Sequence, residues 1–430
     1  MYTYPGFISL FWFTWPLTIM HTLMSSSTPI SPIQLPEAID WNSKSAAAIE
    51  HIVGLDKLFA ENPELVGYYN AALAQLCGET LQPLREKVAK YWVPYLPGYK
   101  KNTLKEFFYT WLTFTPDPAG PGEYIEYWDY LVNTVGGLQL ASHHAFLPWF
   151  RQFLNYHGDW INSSSSVSTL AEWKAYGGTP DHPFDISNYI EPHPESPASG
   201  FTSFNQFFLR NLKADERPLC TTADIVAPSD GGIFYLDQGG NADEKKGLRY
   251  DLPGKSDDFE LLEALPEYGS HFLGGPLYDI LLWFTDYHHF HAPVSGIIKK
   301  EGLYEGSYNY DFGDFDPATD FAPTRPSGSD RVGWYEKLGK HQRYVWIIET
   351  ENLGLVAMIA IGFWGVGSII SATKKGQEVK KGEYMGHFGY GGSSIVLAFE
   401  PDRNIQLKVS GNDIKDADYP TLIKVRECLQ

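Results

Sequence analysis

The β-rich half of this 430-residue chain leads into the stretch GGSSIVLAF, residues 391–399. Two glycines stand directly before two hydroxyl residues, at the end of a hairpin-like stretch. An apolar run from Ile395 to Phe399 follows them. The four residues Gly391-Gly392-Ser393-Ser394 are typical of a flexible surface turn. They also suit a second interpretation, in which the peptide bond at this point cleaves itself.

Self-cleavage needs an accessible carbonyl and a nearby hydroxyl. Gly392 has no Cβ, so it can hold backbone angles closed to other residues and expose its carbonyl to Ser393. Attack by Ser393 converts the amide to an ester, and elimination and hydrolysis then leave a pyruvoyl group. That group stands at the N-terminus of a new chain of 38 residues. The tetrapeptide alone does not decide between this chemistry and a turn.

The residues before the tetrapeptide have the pattern of short strands. Segments 224–227, 344–350, 353–361 and 366–373 are rich in β-forming residues. Residues 376–386 carry glycines spaced as in a β-hairpin with tight turns. This half of the chain is therefore predicted to be β-rich.

The first half has helical periodicity instead, from about residue 45 to 160. Asn62 and Pro63 have the pattern of a helix start, and aromatic-rich helices are predicted at 124–132 and 138–156. We interpret the aromatic stripes as core packing. A serine run at 163–166 and a proline-containing segment at 192–197 indicate a boundary. The predicted class is α+β, with residues 1–40 as an apolar segment and linker, 41–185 as a helical domain and 186–430 as a catalytic domain.

Composition restricts the partners of the chain. A net charge of −19 argues against nucleic acid and against anionic lipid surfaces, and is easier to reconcile with a small zwitterionic substrate. The three cysteines, Cys77, Cys220 and Cys428, are odd in number, widely spaced and without a CxxC, so neither a disulfide framework nor a zinc ribbon is predicted. This cysteine usage indicates a reducing compartment.

The N-terminus leaves the location of the protein open. Residues 6–20 are apolar and uncharged, as in a signal peptide or a short anchor. However, no Lys or Arg precedes Lys44, and Pro5 and Pro16 interrupt a membrane helix. We expect a cytoplasmic protein, with membrane attachment or secretion as the alternatives.

Two further segments can assist Ser393, which needs a base to attack a carbonyl. Asp230 ends the run APSD, residues 227–230, and three histidines, His288, His289 and His291, lie within YHHFHAP, residues 287–293. In an extended segment His289 and His291 point one way and His288 the other. A carboxylate-oriented histidine would complete a relay with Ser393. A turn at Asp230 and a metal site or surface cluster at the histidines are the alternatives.

Taken together, five ordered motifs resemble the phosphatidylserine decarboxylase family over residues 200–400. They are FTSFNQFFLR at 201–210, Arg217-Pro218, APSDG at 227–231, YHHFHAP at 287–293, and residues 386–394. The resemblance implies cleavage between Gly392 and Ser393, with Ser393 becoming the pyruvoyl cofactor. It implies that Asp230 and His291 assist the cleavage and that His288, a candidate proton donor, sits beside the substrate.

The resemblance also implies a mechanism without pyridoxal phosphate or a metal, in which the substrate amine forms a Schiff base with the pyruvoyl ketone. The two cleavage chains are expected to stay associated, and a homo-oligomer is left open.

Gly391 and Ser394 depart from the commonest Leu-Gly-Ser-Thr form of that family. With the helical extension, they make the chain similar to a fungal branch whose substrate is a free aromatic amino acid, as in the tryptophan decarboxylation of psilocybin biosynthesis. The predicted reaction is therefore L-tryptophan to tryptamine in secondary metabolism, with Phe363 and Trp364 either narrowing the pocket or packing in the core. Decarboxylation of phosphatidylserine, with residues 6–20 as a membrane attachment, and an inactive scaffold are the alternatives.

Overall fold

The fold is described from a computed structural model. Its described residues are 30–34, 38, 40–76, 103–132, 134–179, 182–195, 200–239, 249–250, 259–306, 341–363, 368–403, 405–413 and 421–430. The apolar segment 6–20, Cys77, Trp364 and the side chain of Phe363 lie outside this description.

Helices dominate up to residue 175. In chain order they are α1 Asn42–Val53, α2 Leu55–Glu61, α3 Glu64–Leu76, α4 Thr103–Leu112, α5 Glu123–Val132, α6 Val135–Ala141, α7 Phe146–Ile161 and α8 Leu170–Ala175, followed later by α9 Phe204–Phe208 and α10 Leu261–Ala264. The predicted helix at 124–132 is confirmed by α5. The predicted single helix at 138–156 is wrong, because α6 ends at Ala141. There the Ser142 hydroxyl donates to the Leu138 carbonyl at 2.7 Å and the chain turns before α7.

The helical region is held by aromatic packing. The buried residues of α7 include Phe146, Trp149, Phe150 and Phe153. They recur at spacings of three and four, so they lie on one face of the helix. The rings of Trp149, Phe150 and Phe153 meet Phe108 of α4 at centroid distances of 4.9, 6.0 and 4.7 Å. Trp128 of α5 closes the cluster from the other side, 5.2 Å from Phe108. The interpretation of the aromatic stripes as core packing is confirmed.

Strands dominate the remainder. They are β1 Gly178–Thr179, β2 His182–Pro183, β3 Gly231–Asp237, β4 Arg249–Tyr250, β5 Phe259–Glu260, β6 Leu277–Leu282, β7 His289–His291, β8 Gly296–Tyr304, β9 Gln342–Glu349, β10 Leu355–Phe363, β11 Ile369–Ser371, β12 Glu378–Val379, β13 Tyr384–Phe388, β14 Gly392–Phe399, β15 Lys408–Val409, β16 Asn412–Asp413 and β17 Thr421–Ile423. The α+β class is confirmed. The limits of the domains at residues 40 and 185 stay predictions.

An eight-stranded sheet forms the centre of the β-rich half, in the order β12-β8-β9-β10-β14-β6-β3-β17. All its neighbouring pairs are antiparallel. In β14, Ile395, Leu397 and Phe399 pack into one core, and Val396 and Ala398 pack into another. Because both faces of β14 are covered, its sequence reads as a continuous apolar run.

Two predictions about the strands are wrong. Residues 376–386 do not pair with each other as a hairpin: β12 pairs with β8, whereas β13 pairs with β7 and β11 in a separate three-stranded sheet. Residues 224–227 form no ladder, and only an isolated bridge joins Val226 to Cys428. Glycine spacing marks the turns in such segments, but the pairing partners are chosen by contacts distant in sequence.

The sequence predicted no disulfide framework, but one pair of cysteines does form a disulfide. Cys220 and Cys428 form a disulfide with their Cα atoms 5.3 Å apart. The two residues are separated by 208 positions, so their spacing carries no signal of a bond. The fold brings them together by pairing the last residues of the chain with the segment before Asp230, through hydrogen bonds such as that from Ala227 N–H to the Glu427 carbonyl.

Candidate active site

The tetrapeptide lies in the interior of the protein. Gly391 has φ +138°, a conformation that favours glycine, and Gly392 begins β14. The glycine with restricted backbone angles is therefore Gly391, where the sequence had indicated Gly392. Ser393 pairs across the sheet with Gly362 of β10 and Leu282 of β6. The interpretation as a flexible surface turn is wrong.

Neither serine hydroxyl of this segment is satisfied. Ser393 and Ser394 are fully buried, and their Oγ atoms have no hydrogen-bond partner among the described residues. Leaving a buried hydroxyl without a partner costs about 1–3 kcal/mol, so such groups are rare in folded proteins and call for an explanation. A nucleophile held beside its own peptide bond is one explanation, because the hydroxyl is then kept free of competing bonds.

His288 is tied to the loop that precedes the tetrapeptide. Its backbone carbonyl accepts a hydrogen bond of 3.0 Å from the Phe388 N–H. Its ring stacks on Phe208 of α9 with centroids 3.8 Å apart. Phe208 in turn lies 5.4 Å from the ring of Tyr390, three residues before Ser393. His288 is thus placed next to the loop that ends at the predicted cleavage site.

The chemistry of His288 follows from its two ring nitrogens. Nδ1 lies 3.0 Å from the Asp286 carbonyl, which can only accept, so Nδ1 carries the proton. Nε2 is buried, carries a lone pair and has no partner among the described residues. Burial, with the nearby Arg210 guanidinium, lowers the pKa of His288 to about 3. At neutral pH His288 is therefore an uncharged ring that offers a proton acceptor.

Arg210 fixes the loop on which His288 stands. Its side chain is fully buried and donates to the carbonyls of Phe207, Thr285 and Asp286. The guanidinium also lies 4.2 Å from the centre of the Tyr189 ring. The Asp286 carbonyl is shared between Arg210 and His288, so Arg210 helps to set the orientation of the imidazole.

The other two histidines share one face, as predicted. His289 and His291 both pack against Tyr287 and Tyr384, at centroid distances of 4.8–5.8 Å, while His288 faces Phe208. His291 Nδ1 donates to the Gly382 carbonyl at 3.0 Å, and Tyr287 Oη lies 3.4 Å from Nε2. Burial lowers the pKa of His291 to about 4. His291 is therefore also neutral, with its acceptor nitrogen directed at a phenol.

Asp230 is held by cations. Nε and Nη2 of Arg217 donate to its carboxylate at 2.9–3.3 Å, the Lys424 ammonium lies 3.4 Å away, and the Val425 N–H donates at 2.9 Å. Burial alone raises the pKa of Asp230, but Arg217 and Lys424 outweigh it and hold the pKa below its ordinary value. The carboxylate is therefore ionised and fully engaged.

The proposed relay is not closed in this conformation. Asp230 binds Arg217 and Lys424 in place of an imidazole, and Ser393 Oγ has no partner within the described chain. The segments that carry Asp230 and His291 are joined by a backbone hydrogen bond of 2.7 Å from the His291 N–H to the Pro228 carbonyl. The roles of Ser393, His291, Asp230 and His288 stay predictions.

Lys424 is a site residue that sequence reasoning missed. Besides Asp230 it lies 3.8 Å from Asp286, whose pKa is raised by burial. Burial lowers the pKa of Lys424, but the two carboxylates more than offset this, and the net shift is upward. Lys424 lies 194 positions after Asp230 in a tail without a recognisable motif, so no local signal could have found it.

A pyruvoyl group at position 393 fits this site, since the residue that would form it is buried and its hydroxyl is unbound. Within the ranges that the structure describes, no group of three or more His, Cys, Asp or Glu side chains is arranged to hold a metal ion. In the same ranges no helix is long and apolar enough to span a bilayer.

Comparison with known proteins gives one family. The sequence model of phosphatidylserine decarboxylase matches residues 204–418, half of the chain. A phosphatidylserine decarboxylase proenzyme of Chlamydia trachomatis is 32% identical over 211 residues, which cover 49% of this chain and 64% of that protein. The chain thus spans somewhat less than two thirds of that relative. A proenzyme of Clostridium novyi is 31% identical over 59% of this chain and 76% of its own length.

A fungal protein is also similar. Decarboxylase iboD of Amanita muscaria is 26% identical over 304 residues, covering 63% of this chain and 82% of that protein. A buried Gly-Ser junction, a neighbouring neutral histidine and these matches lead to one conclusion. The chain belongs to the phosphatidylserine decarboxylase family.

The pairing of Asp230 with two cations predicts that Asp230→Asn, which replaces one carboxylate oxygen by an amide nitrogen, has a large effect on the free energy of unfolding. In Asp230→Asn the charges of Arg217 and Lys424 lose their buried counter-charge, so we expect a loss of about 3 kcal/mol or more in unfolding free energy. The loss is measured by urea unfolding of two proteins, the single variant Ser393→Ala and the double variant Ser393→Ala/Asp230→Asn. The proposed cleavage cannot occur in either of them. Glu267→Gln, which breaks only the exposed pair with Lys300, is the control and should leave the midpoint unchanged. Equal urea midpoints for Ser393→Ala and Ser393→Ala/Asp230→Asn would contradict the conclusion that Asp230 is the counter-charge of Arg217 and Lys424.

The low pKa of His288 predicts a pH-dependent stability. Unfolding raises this pKa from about 3 to about 6.5, so the unfolded chain binds the extra proton. The contribution of neutral His288 to the free energy of unfolding is fully present above pH 6.5 and is lost as the pH falls towards 3. Between pH 7.5 and 5.5 one such histidine costs about 1.4 kcal/mol. We expect His288→Gln, in the Ser393→Ala chain, to reduce the loss of stability between these pH values by about that amount. If the loss of stability between pH 7.5 and 5.5 is the same with and without His288→Gln, the folded chain already protonates His288 at pH 5.5.

Proposed function

We propose that this protein is a pyruvoyl-dependent decarboxylase of a free aromatic L-amino acid, with L-tryptophan as the first candidate. The observation that carries the chemistry is the buried Ser393 hydroxyl, which has no partner in the described chain and directly follows Gly391 and Gly392. Cleavage between Gly392 and Ser393 would leave a large chain ending at Gly392 and a small chain of residues 393–430.

The sheet explains how the two chains would stay together. In the small chain, residues 393–399 of β14 lie between β10 and β6, both of which belong to the large chain. They pair with seven residues of β10 and six of β6 and are buried throughout. β17, also in the small chain, pairs with β3 of the large chain. Removing the small chain would break the sheet at its centre.

A pyruvoyl group supplies a carbonyl that accepts electrons from the carbon that carries the carboxylate. His288 contributes proton transfer. Because it is neutral, it cannot serve as a donor at the outset. Its Nε2 lone pair can accept a hydrogen bond from the substrate amine. A role as proton donor to the carbon from which CO₂ departs requires that substrate binding raise the pKa of His288 from about 3.

A cleft next to the site supports a small substrate. It has a volume of about 380 Å³ and lies between α7 and the loop of Gly389 and Tyr390. Its lining is mixed, with the apolar Leu154 and Ile161 beside the polar Asn155, His157, Asp159, Asn162, Asn205 and Ser368. Small-molecule sites have volumes of about 300–1,000 Å³, so the cleft is at the small end of that range. It suits an amino acid better than a diacyl lipid.

One further observation supports the amino acid. The net charge of −19 disfavours an anionic lipid surface.

The second candidate is phosphatidylserine decarboxylation. It is favoured by the higher identity, 31–32%, to proteins that carry that name.

The maturation step can be tested on its own. The proposed group forms from Ser393, so Ser393→Ala should remain a continuous chain and release no CO₂. Ser187→Ala is the matched control, because Ser187 is exposed and remote in sequence from the site. Denaturing mass spectrometry of the reduced wild type should give a small chain that starts at residue 393 and carries a blocked N-terminus. A continuous wild-type chain would refute the proposal.

The substrate is decided by a panel. Wild-type protein is incubated with tryptophan, tyrosine, phenylalanine or phosphatidylserine in mixed micelles, and CO₂ release is measured. We expect release from the free aromatic amino acids, with tryptophan the fastest, because the cleft is small and its lining is partly apolar. Ser393→Ala under the same conditions gives the background. Release from phosphatidylserine alone would establish the second candidate in place of the first.

A further inference from the structure

The disulfide and the proposed cleavage site have a specific topological relation. Cys220 precedes the bond between Gly392 and Ser393, and Cys428 follows it. In the continuous chain the disulfide closes a loop that contains the cleavage site. Once that bond is cut, the two cysteines belong to different chains.

We propose that Cys220–Cys428 is an interchain disulfide of the mature protein, which fastens the C-terminal tail of the small chain to the large chain. The inference rests on the cleavage proposed above. The tail is defined here as residues 421–429.

The tail is the part of the small chain that reaches Asp230. It runs beside residues 225–227 of the large chain. The Arg426 and Leu429 N–H groups donate to the Ala227 and Ile225 carbonyls at 2.8 and 3.0 Å, and the Cys220 N–H donates to the Arg426 carbonyl at 3.0 Å. At its other end, the Val425 N–H and the Lys424 ammonium contact the Asp230 carboxylate. The disulfide therefore closes the far end of a segment that supplies two of the contacts of Asp230.

The disulfide is not needed to retain the small chain. β14 is held in the sheet by its pairing with β10 and β6 and by apolar cores on both faces. The tail pairs with the sheet on one side only, since β17 is its edge strand, although Ile423, Val425 and Leu429 are buried in the apolar cores. Reduction should consequently loosen the tail and leave β14 in place.

The bond is accessible to thiols. Both cysteines are half-buried, and the Thr222 hydroxyl lies 3.6 Å from each sulfur. Forming the bond from two thiols releases two electrons and two protons, which a small-molecule disulfide accepts by exchange and is itself reduced to two thiols. The bond persists in an oxidising compartment and opens in a reducing one. The linked fraction therefore reports the redox state that the protein experiences.

Mass spectrometry under denaturing conditions tests the linkage. Wild-type protein is alkylated at purification to block exchange and is measured before and after treatment with a phosphine reductant. We expect one species that contains both chains before reduction, and two species, ending at Gly392 and starting at residue 393, after it. Two species before reduction would overturn the interchain bond while leaving the cleavage intact. One species under both conditions would mean that cleavage fails, and the proposed function with it.

Cysteine variants give the controls. Cys428→Ser should give two species without reductant, and Cys220→Ser should do the same. Cys77→Ser is the matched control, because it removes the third cysteine and should leave the linked species unchanged. Loss of the linked species in Cys77→Ser would assign the bond to a different pair.

Hydrogen exchange tests the fastening of the tail. In the native cleaved protein, reduction should speed amide exchange in residues 421–429 and leave 395–399 unchanged, because only the tail depends on the disulfide. Size-exclusion chromatography of the same sample should retain the small chain. Equal exchange of the tail before and after reduction would overturn its fastening by the disulfide.

Discussion

The burial of β14 is the constraint on which the rest of the structure depends. This strand sits between β10 and β6 and is covered by apolar residues on both faces, so its first residues cannot reach solvent. Ser393 is placed at the point where the strand enters the sheet. The same packing that buries its hydroxyl leaves it without a partner among the described residues. A reactive group formed at this position would be buried in the same way, and it would be fixed to a strand that is paired on both sides.

A second dependence runs through the C-terminal tail. The Asp230 carboxylate is buried, and isolated burial of a carboxylate is costly. Arg217 from the segment before it, with Lys424 and the Val425 N–H from the tail, compensate for that cost. Residues from both sides of the proposed cleavage point therefore hold the Asp230 carboxylate. Loss of the small chain would remove two of these contacts, so the cluster around Asp230 depends on the association of the two chains.

The sequence predicts the parts of this protein that local pattern determines. The α+β class, the helix at 124–132 and the opposite facing of His288 and His289 follow from periodicities that a short window contains. The pairing of β12 with β8, the disulfide and the contact of Lys424 with Asp230 do not. Each joins residues that are far apart in the chain, and each is chosen by packing of the whole sheet. Gly391 is an intermediate case: two adjacent glycines indicated a special backbone angle but not which of them holds it.

The electrostatics of the site bear on the decarboxylation that we propose. Loss of CO₂ disperses the negative charge of the carboxylate, so a cation bound tightly to that carboxylate would stabilise the reactant more than the transition state. Within the described chain, Arg217 and Lys424 are paired with acidic groups, and Arg210 is directed at carbonyl oxygens. His288 and His291 are neutral, because burial lowers the pKa of each. Positive charge is thus abundant near the site but already committed to the protein. A substrate carboxylate would meet aromatic rings and neutral imidazoles, which favours release of its charge over its retention.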